Sequence, residues 1–250
     1  MATGFGDGAR LMRASLELVR EEPELLWFPA ISTARLVLIA GFWIFEGAWL
    51  YAIHGPWLLY VPLVAIGLYS LFFVGIFFNV ALAGAAAQAL DGDEPSVRRG
   101  LGVACSRLGG IAGWAGYSFV VAFLTSLLKG KASRWLGTAA QVAWSFATIF
   151  VVPLIAIEDL DSEGARRRSF QLARKNWTAE TGGLGALRLA LLVPGLVFYL
   201  TAKLLSGGHV HSVAAKAALG FVLICGFALA AAAGVVRQVF AVELYRTSTA

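Results

Sequence analysis

The chain has 250 residues, of which 59% are hydrophobic and only 14% are charged. Soluble domains have roughly 45–50% and 25% respectively, so the excess apolar surface must meet lipid, and disordered or collagen-like chains are excluded. The net charge of +5 could suit nucleic acid, but the basic residues cluster between apolar runs, as the orientation signals of membrane proteins do. The composition therefore predicts an integral membrane protein.

The first polar segment predicts an amphipathic helix. Charged residues from Arg10 to Glu24 recur mostly at spacings of three and four, and Leu11, Met12, Leu16 and Val19 fill the other side. We expect such a helix to lie in the membrane interface with its basic side towards anionic lipid. The alternative is a connector helix that packs on the ends of the membrane spans.

Related segments recur twice along the chain. Ser15–Arg20 matches Ser169–Arg174, and Glu94–Arg99 matches Glu163–Arg168 at an offset that also places Ala104 on Ala173. Each copy precedes a long apolar run. We predict three related units within a single membrane domain, residues 1–250, and these units cover residues 8–89, 93–158 and 161–243.

Six apolar runs are long enough to cross about 30 Å of hydrocarbon, which takes about 20 residues. They are residues 31–53, 57–80, 109–128, 135–157, 184–205 and 213–236. Short turns join them in pairs, and the second and sixth patterns continue to about residues 89 and 243. The predicted fold class is all-α: a polytopic membrane bundle of six transmembrane helices in three hairpins, each preceded by an amphipathic interfacial helix.

Basic residues predict the orientation of this bundle. The termini and the two long polar segments carry 13 Lys and Arg residues, whereas the short turns and adjoining span ends carry 5. Positive residues favour the cytoplasmic side. We therefore expect a multi-pass cell-membrane protein with both termini in the cytoplasm.

The basic residues of the three amphipathic segments are candidate contacts for anionic lipid. This set comprises Arg10, Arg13, Arg98, Arg99, Arg166, Arg167, Arg168, Arg174 and Lys175.

Ionisable groups inside spans are costly and so are functional candidates. Glu46 falls about 10 Å from the outer end of the first predicted span. Gln141 lies at a similar depth, and Lys203 and Lys216 fall near the outer ends of the last two spans. These four residues form a candidate polar cavity. The alternative is a structural role for Glu46, either paired or protonated and hydrogen-bonded within the bundle.

Motifs for catalysis are absent from the sequence. It contains no nucleophile elbow, phosphate loop, zinc-protease helix or kinase signature. His209 and His211, with the distant His54, lack a carboxylate or thiolate companion, so they make a weak metal site. We expect no catalytic residues, no cofactor and no metal.

Three runs of residues resemble a family of uncharacterised prokaryotic integral membrane proteins, a domain of unknown function. They are Ser15–Pro29, then Phe77–Leu82 ahead of Asp91–Asp93, and Val151–Leu154 with Glu158, Arg168, Ser169 and Trp177. The resemblance covers most of residues 10–178 and implies a six-helix membrane domain, but it implies no reaction. More distantly, the layout is similar to the membrane domain of some glycerophosphodiester phosphodiesterases, whose catalytic domain this chain lacks.

The sequence favours a non-enzymatic membrane protein that acts as a scaffold, accessory subunit or membrane-organising factor. The rival hypothesis is a small transporter or channel with a polar cavity near Glu46. An enzyme acting on lipids is a third hypothesis, but paired catalytic groups are missing. Expected partners are the lipid bilayer with its anionic lipids and either a second copy of the chain or another membrane protein, and not nucleic acid.

Overall fold

The described part of the chain is helical throughout. The structure is a computed structural model that describes residues 4–128, 144, 147–207 and 213–249. Its helices are α1 Phe5–Glu21, α2 Trp27–Ala52, α3 Tyr60–Leu90, α4 Val97–Ser106, α5 Leu108–Leu128, α6 Val151–Glu158, α7 Ser162–Lys175, α8 Trp177–Gly207 and α9 Val213–Thr249. Short 3₁₀ segments, Pro23–Leu26 and Trp57–Leu59, precede α2 and α3. The predicted all-α class is confirmed.

Four helical stretches of the described residues are long and apolar enough to cross a membrane. They are Pro23–Ala52, Trp57–Leu90, Leu108–Ser126 and Phe221–Thr249, and they contain the second predicted span and most of the first, third and sixth. About half of the fourth predicted span, residues 135–157, lies outside the described residues. The fifth lies within α8, a helix of 31 residues that is not among the four. The arrangement of six spans in three hairpins therefore stays a prediction.

Dense packing is concentrated at one end of the helices, which we call the basic end. It comprises α1, α4, α6 and α7, the last turns of α3 and α9, and the first turns of α2, α5 and α8. Val80, Leu154 and Phe240 are fully buried there. In contrast, Ile44 on α2 is 72% exposed and Phe221 on α9 is 68% exposed. Contacts within the described chain therefore hold the basic end together. Most side chains in the opposite halves of the long helices are exposed.

The contacts among the helices repeat in a ring. Helix α4 packs on α3, and α7 packs on α6, the eight-residue helix that ends the second unit, so each of these two amphipathic helices contacts the last helix of the preceding unit. Helix α1 packs on α8 and α9, the last two helices of the chain, and so closes the ring. Helices α3, α6 and α9 contact one another inside it. The ring follows the order of the three predicted units, and their division of the chain stays a prediction.

Corresponding positions of the repeat make corresponding contacts. Ser15, Gly100 and Ser169 fall at matching positions, and all three are buried. Ser15 Oγ donates a hydrogen bond to Glu243 Oε2 on α9 at 2.7 Å, and Ser169 Oγ donates one to the Ala147 carbonyl at 2.8 Å. A Cβ added to Gly100 would lie 2.6 Å from the Ala81 carbonyl oxygen on α3. Each unit therefore places a small residue where its amphipathic helix crosses the preceding unit.

The apolar faces of the amphipathic helices are covered largely by protein. Met12 and Val19 on α1 and Leu172 on α7 are buried. Leu16 and Phe170, which occupy matching positions of the repeat, are 39% and 59% exposed. The packing agrees with a connector helix over most of the apolar faces of α1 and α7 and leaves an exposed large apolar side chain on each of these two helices that can reach lipid.

Candidate functional site

A cluster of three aromatic rings lies where α5 meets the residues preceding α6. Trp114 and Tyr117 are three residues apart on α5, so they share a helical face. Their ring centroids are 5.8 Å apart, and the Trp144 ring lies 5.9 Å from Trp114 and 5.7 Å from Tyr117. The cluster gives one side of α5 a rigid aromatic surface.

Arg166 of α7 lies over this cluster. The guanidinium carbon is 4.3 Å from the centroid of the Tyr117 ring, within the range of a cation–π interaction. In the described part of the chain Arg166 has no carboxylate partner, because the nearby Glu163 pairs with Arg167 one turn along the same helix. Among the described residues, the Arg166 charge is therefore held in place by an aromatic ring and has no acid to neutralise it.

A groove of about 480 Å³ opens beside Arg166, and we call it the aromatic groove. Its residues are Tyr69, Ala112, Gly113, Gly116, Tyr117, Val120, Ser162, Glu163 and Arg166. Gly113 is required for the close approach of α5 and α7, since a Cβ there would lie 2.5 Å from Ser162 Oγ. On the far wall the Tyr69 hydroxyl donates a hydrogen bond to the Ala112 carbonyl at 3.3 Å. The polar end of the aromatic groove holds Arg166 and Ser162 together with the Glu163 carboxylate, which pairs with Arg167, and the other end is apolar.

A second groove of about 360 Å³ lies among α2, α3 and α9. Most of its lining is apolar or small, and Ser32, Thr33 and Asn79 are the polar side chains in it. None of these three side chains makes a hydrogen bond within the described residues. No charged residue lines this groove, so it offers less to a specific ligand than the aromatic groove does.

The predicted lipid-contact residues lie on the surface of the basic end. Arg166 is half-buried, and the other eight are exposed: Arg10, Arg13, Arg98, Arg99, Arg167, Arg168, Arg174 and Lys175. Among the exposed ones, Arg99 lies 3.9 Å from Asp93. Only Arg166 of this set lines a groove described here.

The predicted polar cavity around Glu46 is only partly described. Glu46 is half-buried on α2 and makes no hydrogen bond or ion pair within the described residues. Lys203 is exposed on α8, whereas Gln141 and the side chain of Lys216 lie outside the described residues. Neither of the two grooves includes Glu46. The cavity stays a prediction.

Sequence reasoning missed Glu180, a fully buried carboxyl in the first turn of α8, before the predicted fifth span. Neither carboxyl oxygen has a hydrogen-bond partner within the described residues. Burial raises the pKa of Glu180 to about 8, and the positive charge of Arg237 on α9 lowers it in part. A carboxyl in a polar segment ordinarily faces water. The clue in the sequence is Gly182-Gly183 just after it, a pair that permits close helix packing.

Helix α1 covers this carboxyl. A Cβ on Gly8 would lie 1.8 Å from the carbonyl oxygen of Ala179, the residue before Glu180. A Cβ on Gly183 would lie 2.2 Å from the Phe240 ring. The absence of side chains at these two glycines brings α1, α8 and α9 together and excludes water from Glu180.

No group of three metal-ligating side chains occurs within the described residues. His54 lies in the turn after α2, and His209 and His211 fall outside the described residues. Cys105 and Cys225 are free and exposed.

Fold and composition together define an all-α protein whose candidate membrane spans suggest a multi-pass membrane protein. The chain belongs to a family of unknown function, DUF6159, whose sequence model matches residues 57–248. The match begins after the Ser15–Pro29 run and extends well beyond residue 178, so it also includes the third unit. No curated protein and no solved structure matches the chain.

Proposed function

We propose that the protein is a non-enzymatic, multi-pass membrane scaffold or accessory subunit that holds a partner protein through its apolar helix halves. The supporting observation is the division between a tightly packed basic end and uncovered opposite halves. Ile44 on α2, Ile66 on α3 and Phe221 on α9 are each more than half exposed. Lipid alone can cover such faces, but they also offer a packing surface to a helix of another membrane protein.

In this proposal the chain crosses the cell membrane six times and both termini lie in the cytoplasm. The exposed basic residues of α1, α4 and α7 then face the inner leaflet, where each contributes about 1 kcal/mol near anionic lipid. The half-exposed Leu16 and Phe170 add apolar contacts at the same surface.

A photoreactive amino acid placed at Ile44 tests the scaffold proposal in native membranes. Irradiation is expected to give an adduct with one protein of defined mass, either a second copy of the chain or another membrane protein. The matched control carries the same amino acid at Arg98, which is exposed on α4 at the basic end, and should not give that adduct. Adducts with lipid alone at Ile44 would overturn the scaffold proposal.

Flux measurements address the rival transporter hypothesis. Proteoliposomes that contain the wild type should pass ions no faster than empty liposomes. A flux that is present in the wild type and abolished by Glu46→Gln would instead identify the protein as a transporter or channel.

A further inference from the structure

We propose that the aromatic groove binds one anionic phospholipid, with the lipid phosphate at Arg166 and an acyl chain along Gly116 and Val120. The inference rests on the proposed function only in placing the helices in a bilayer. It adds a single defined ligand site to what is otherwise a diffuse basic surface.

The polar end of the aromatic groove has donors suited to a phosphate. The Arg166 guanidinium has no carboxylate partner within the described residues, and the hydroxyls of Ser162 and Tyr117 have no hydrogen-bond partner there. Arginine binds phosphate through two parallel N–H donors, and charge-assisted hydrogen bonds of this kind are about twice as strong as neutral ones. The Tyr117 ring limits the motion of the guanidinium, so less conformational entropy is lost when the phosphate binds.

The apolar end suits a hydrocarbon chain. Gly116 leaves the floor open, since a Cβ there would meet only the Tyr69 ring, at 3.8 Å. Val120 continues the apolar wall one turn further along α5 and is exposed. The groove volume of about 480 Å³ falls within the roughly 300–1,000 Å³ typical of ligand pockets.

The position of the aromatic groove matches the division of a phospholipid into headgroup and chain. Arg166 and Ser162 lie on α7, which is amphipathic and is not a candidate span. Gly116 and Tyr69 lie on the candidate spans Leu108–Ser126 and Trp57–Leu90. A ligand in the groove therefore extends from a water-facing helix to two helices apolar enough to contact hydrocarbon. An anionic amphiphile satisfies both ends, whereas a free phosphate satisfies only one.

Arg168 provides a matched control for Arg166. Both residues lie on α7, but Arg168 is exposed and does not line the groove, and unlike Arg167 it does not pair with the groove residue Glu163. Replacing either residue with Gln changes the net charge equally. A difference in lipid affinity between the two variants therefore reflects the loss of a specific site and not the change in net charge.

The test is native mass spectrometry of the purified full chain, titrated in mild detergent with phosphatidylglycerol or with phosphatidylcholine of the same acyl chains. We expect one phosphatidylglycerol to bind the wild type with preference over phosphatidylcholine. Arg166→Gln should weaken this binding about tenfold, the effect of losing one charge-assisted contact, and Arg168→Gln by less than about twofold. Arg166→Lys keeps the charge and should retain an intermediate affinity.

A second variant tests the chain-binding end independently. Gly116→Leu leaves all charges unchanged and fills the floor of the groove, so it should weaken phosphatidylglycerol binding while the melting temperature stays within a few degrees of the wild type. Inorganic phosphate at an equal concentration should not displace the lipid.

Two results would overturn the lipid site. Equal losses in Arg166→Gln and Arg168→Gln would mean that binding is general surface electrostatics, and displacement by inorganic phosphate would mean a free-anion site. Either result leaves the scaffold proposal standing, because that proposal is judged by the Ile44 adduct.

Discussion

At the scale of single residues, glycines set the distances between helices at the basic end. Gly100 on α4 allows the helix to touch both α2 and α3: a Cβ there would lie 2.6 Å from the Ala81 carbonyl oxygen and 2.8 Å from the Phe28 ring. Gly102, two residues along the same helix, has nothing within 4 Å of its added Cβ. Gly100 is therefore required for the close packing of α4, whereas Gly102 is not.

Gly100→Ala should destabilise the protein, because the added methyl group meets backbone that cannot give way. Overpacking of this kind costs about 1–3 kcal/mol. The control Gly102→Ala should be neutral or should stabilise by up to about 1 kcal/mol, since alanine has the higher helix propensity. Thermal unfolding in detergent, followed by circular dichroism, measures both. Equal melting temperatures for the two variants would contradict the packing of α4 described here.

Glu180 predicts a pH dependence of stability. Its pKa is about 8 in the folded protein against the ordinary value of 4.5, so between these limits the folded state binds more protons than the unfolded state. The free energy of unfolding must then fall as pH rises from about 4.5 to about 8. Glu180→Gln removes this contribution. The variant should resemble the wild type near pH 4.5 and be more stable at pH 9, by an amount on the order of a few kcal/mol.

Melting temperatures of the wild type and Glu180→Gln at four or five pH values measure this effect. Glu17→Gln serves as the control, because Glu17 is an exposed carboxyl on α1 and has no burial to lose. A difference between wild type and Glu180→Gln that does not change with pH would mean that the Glu180 carboxyl is not shielded from water.

At the scale of elements, the amphipathic helices and their repeat could be read from the sequence, because the spacing of charged and apolar residues is local. The sequence match between Ser15 and Ser169 also identified a position at which each of the two amphipathic helices contacts a neighbouring segment. The sequence could not reveal which helix each one contacts. Arg166 meets Tyr117, and α1 meets α8 and α9, through contacts between distant parts of the chain that no local periodicity encodes.

The docking of α1 onto the third unit depends on Gly8. A Cβ at that position would lie 1.8 Å from the Ala179 carbonyl oxygen, whereas a Cβ on Gly6 would meet nothing within 4 Å. Gly8→Ala should therefore displace α1, and Gly6→Ala should not. Trypsin measures the difference, because a displaced α1 exposes its backbone at Arg10, Arg13 and Arg20 to cleavage.

We expect cleavage within α1 to be at least about threefold faster in Gly8→Ala than in wild type, with Gly6→Ala close to wild type. If all three proteins are cleaved at the same rate, α1 does not close the ring of contacts in solution.

At the scale of the whole molecule, the ring of contacts constrains how the chain can lie in a membrane. Asp91 at the end of α3 forms an ion pair with Arg246 near the end of α9 at 2.6 Å, and Asp159 after α6 pairs with Arg107 before α5. The first pair joins the ends of the first and third units, the second joins the two ends of the second unit, and the contacts of α3 with α4 and α6 bring all of these ends to one side. Because the charge count predicts that this side is cytoplasmic, the whole basic end should lie there together.

Cysteine labelling from outside the cell tests this orientation. The two native cysteines, Cys105 and Cys225, are first replaced with alanine, since both are exposed. A membrane-impermeant maleimide should then label a cysteine at Ser206. This residue lies near the end of α8, at the start of the short turn, residues 206–212, that is predicted to lie outside the cell. It should not label one at Asp93, which is exposed in the turn between α3 and α4, until the membrane is permeabilised. Labelling of Asp93→Cys in intact cells, with Ser206→Cys protected, would reverse the orientation and place the basic end outside. Labelling of both positions from outside would place them on the same side of the membrane and would contradict a membrane-spanning α8.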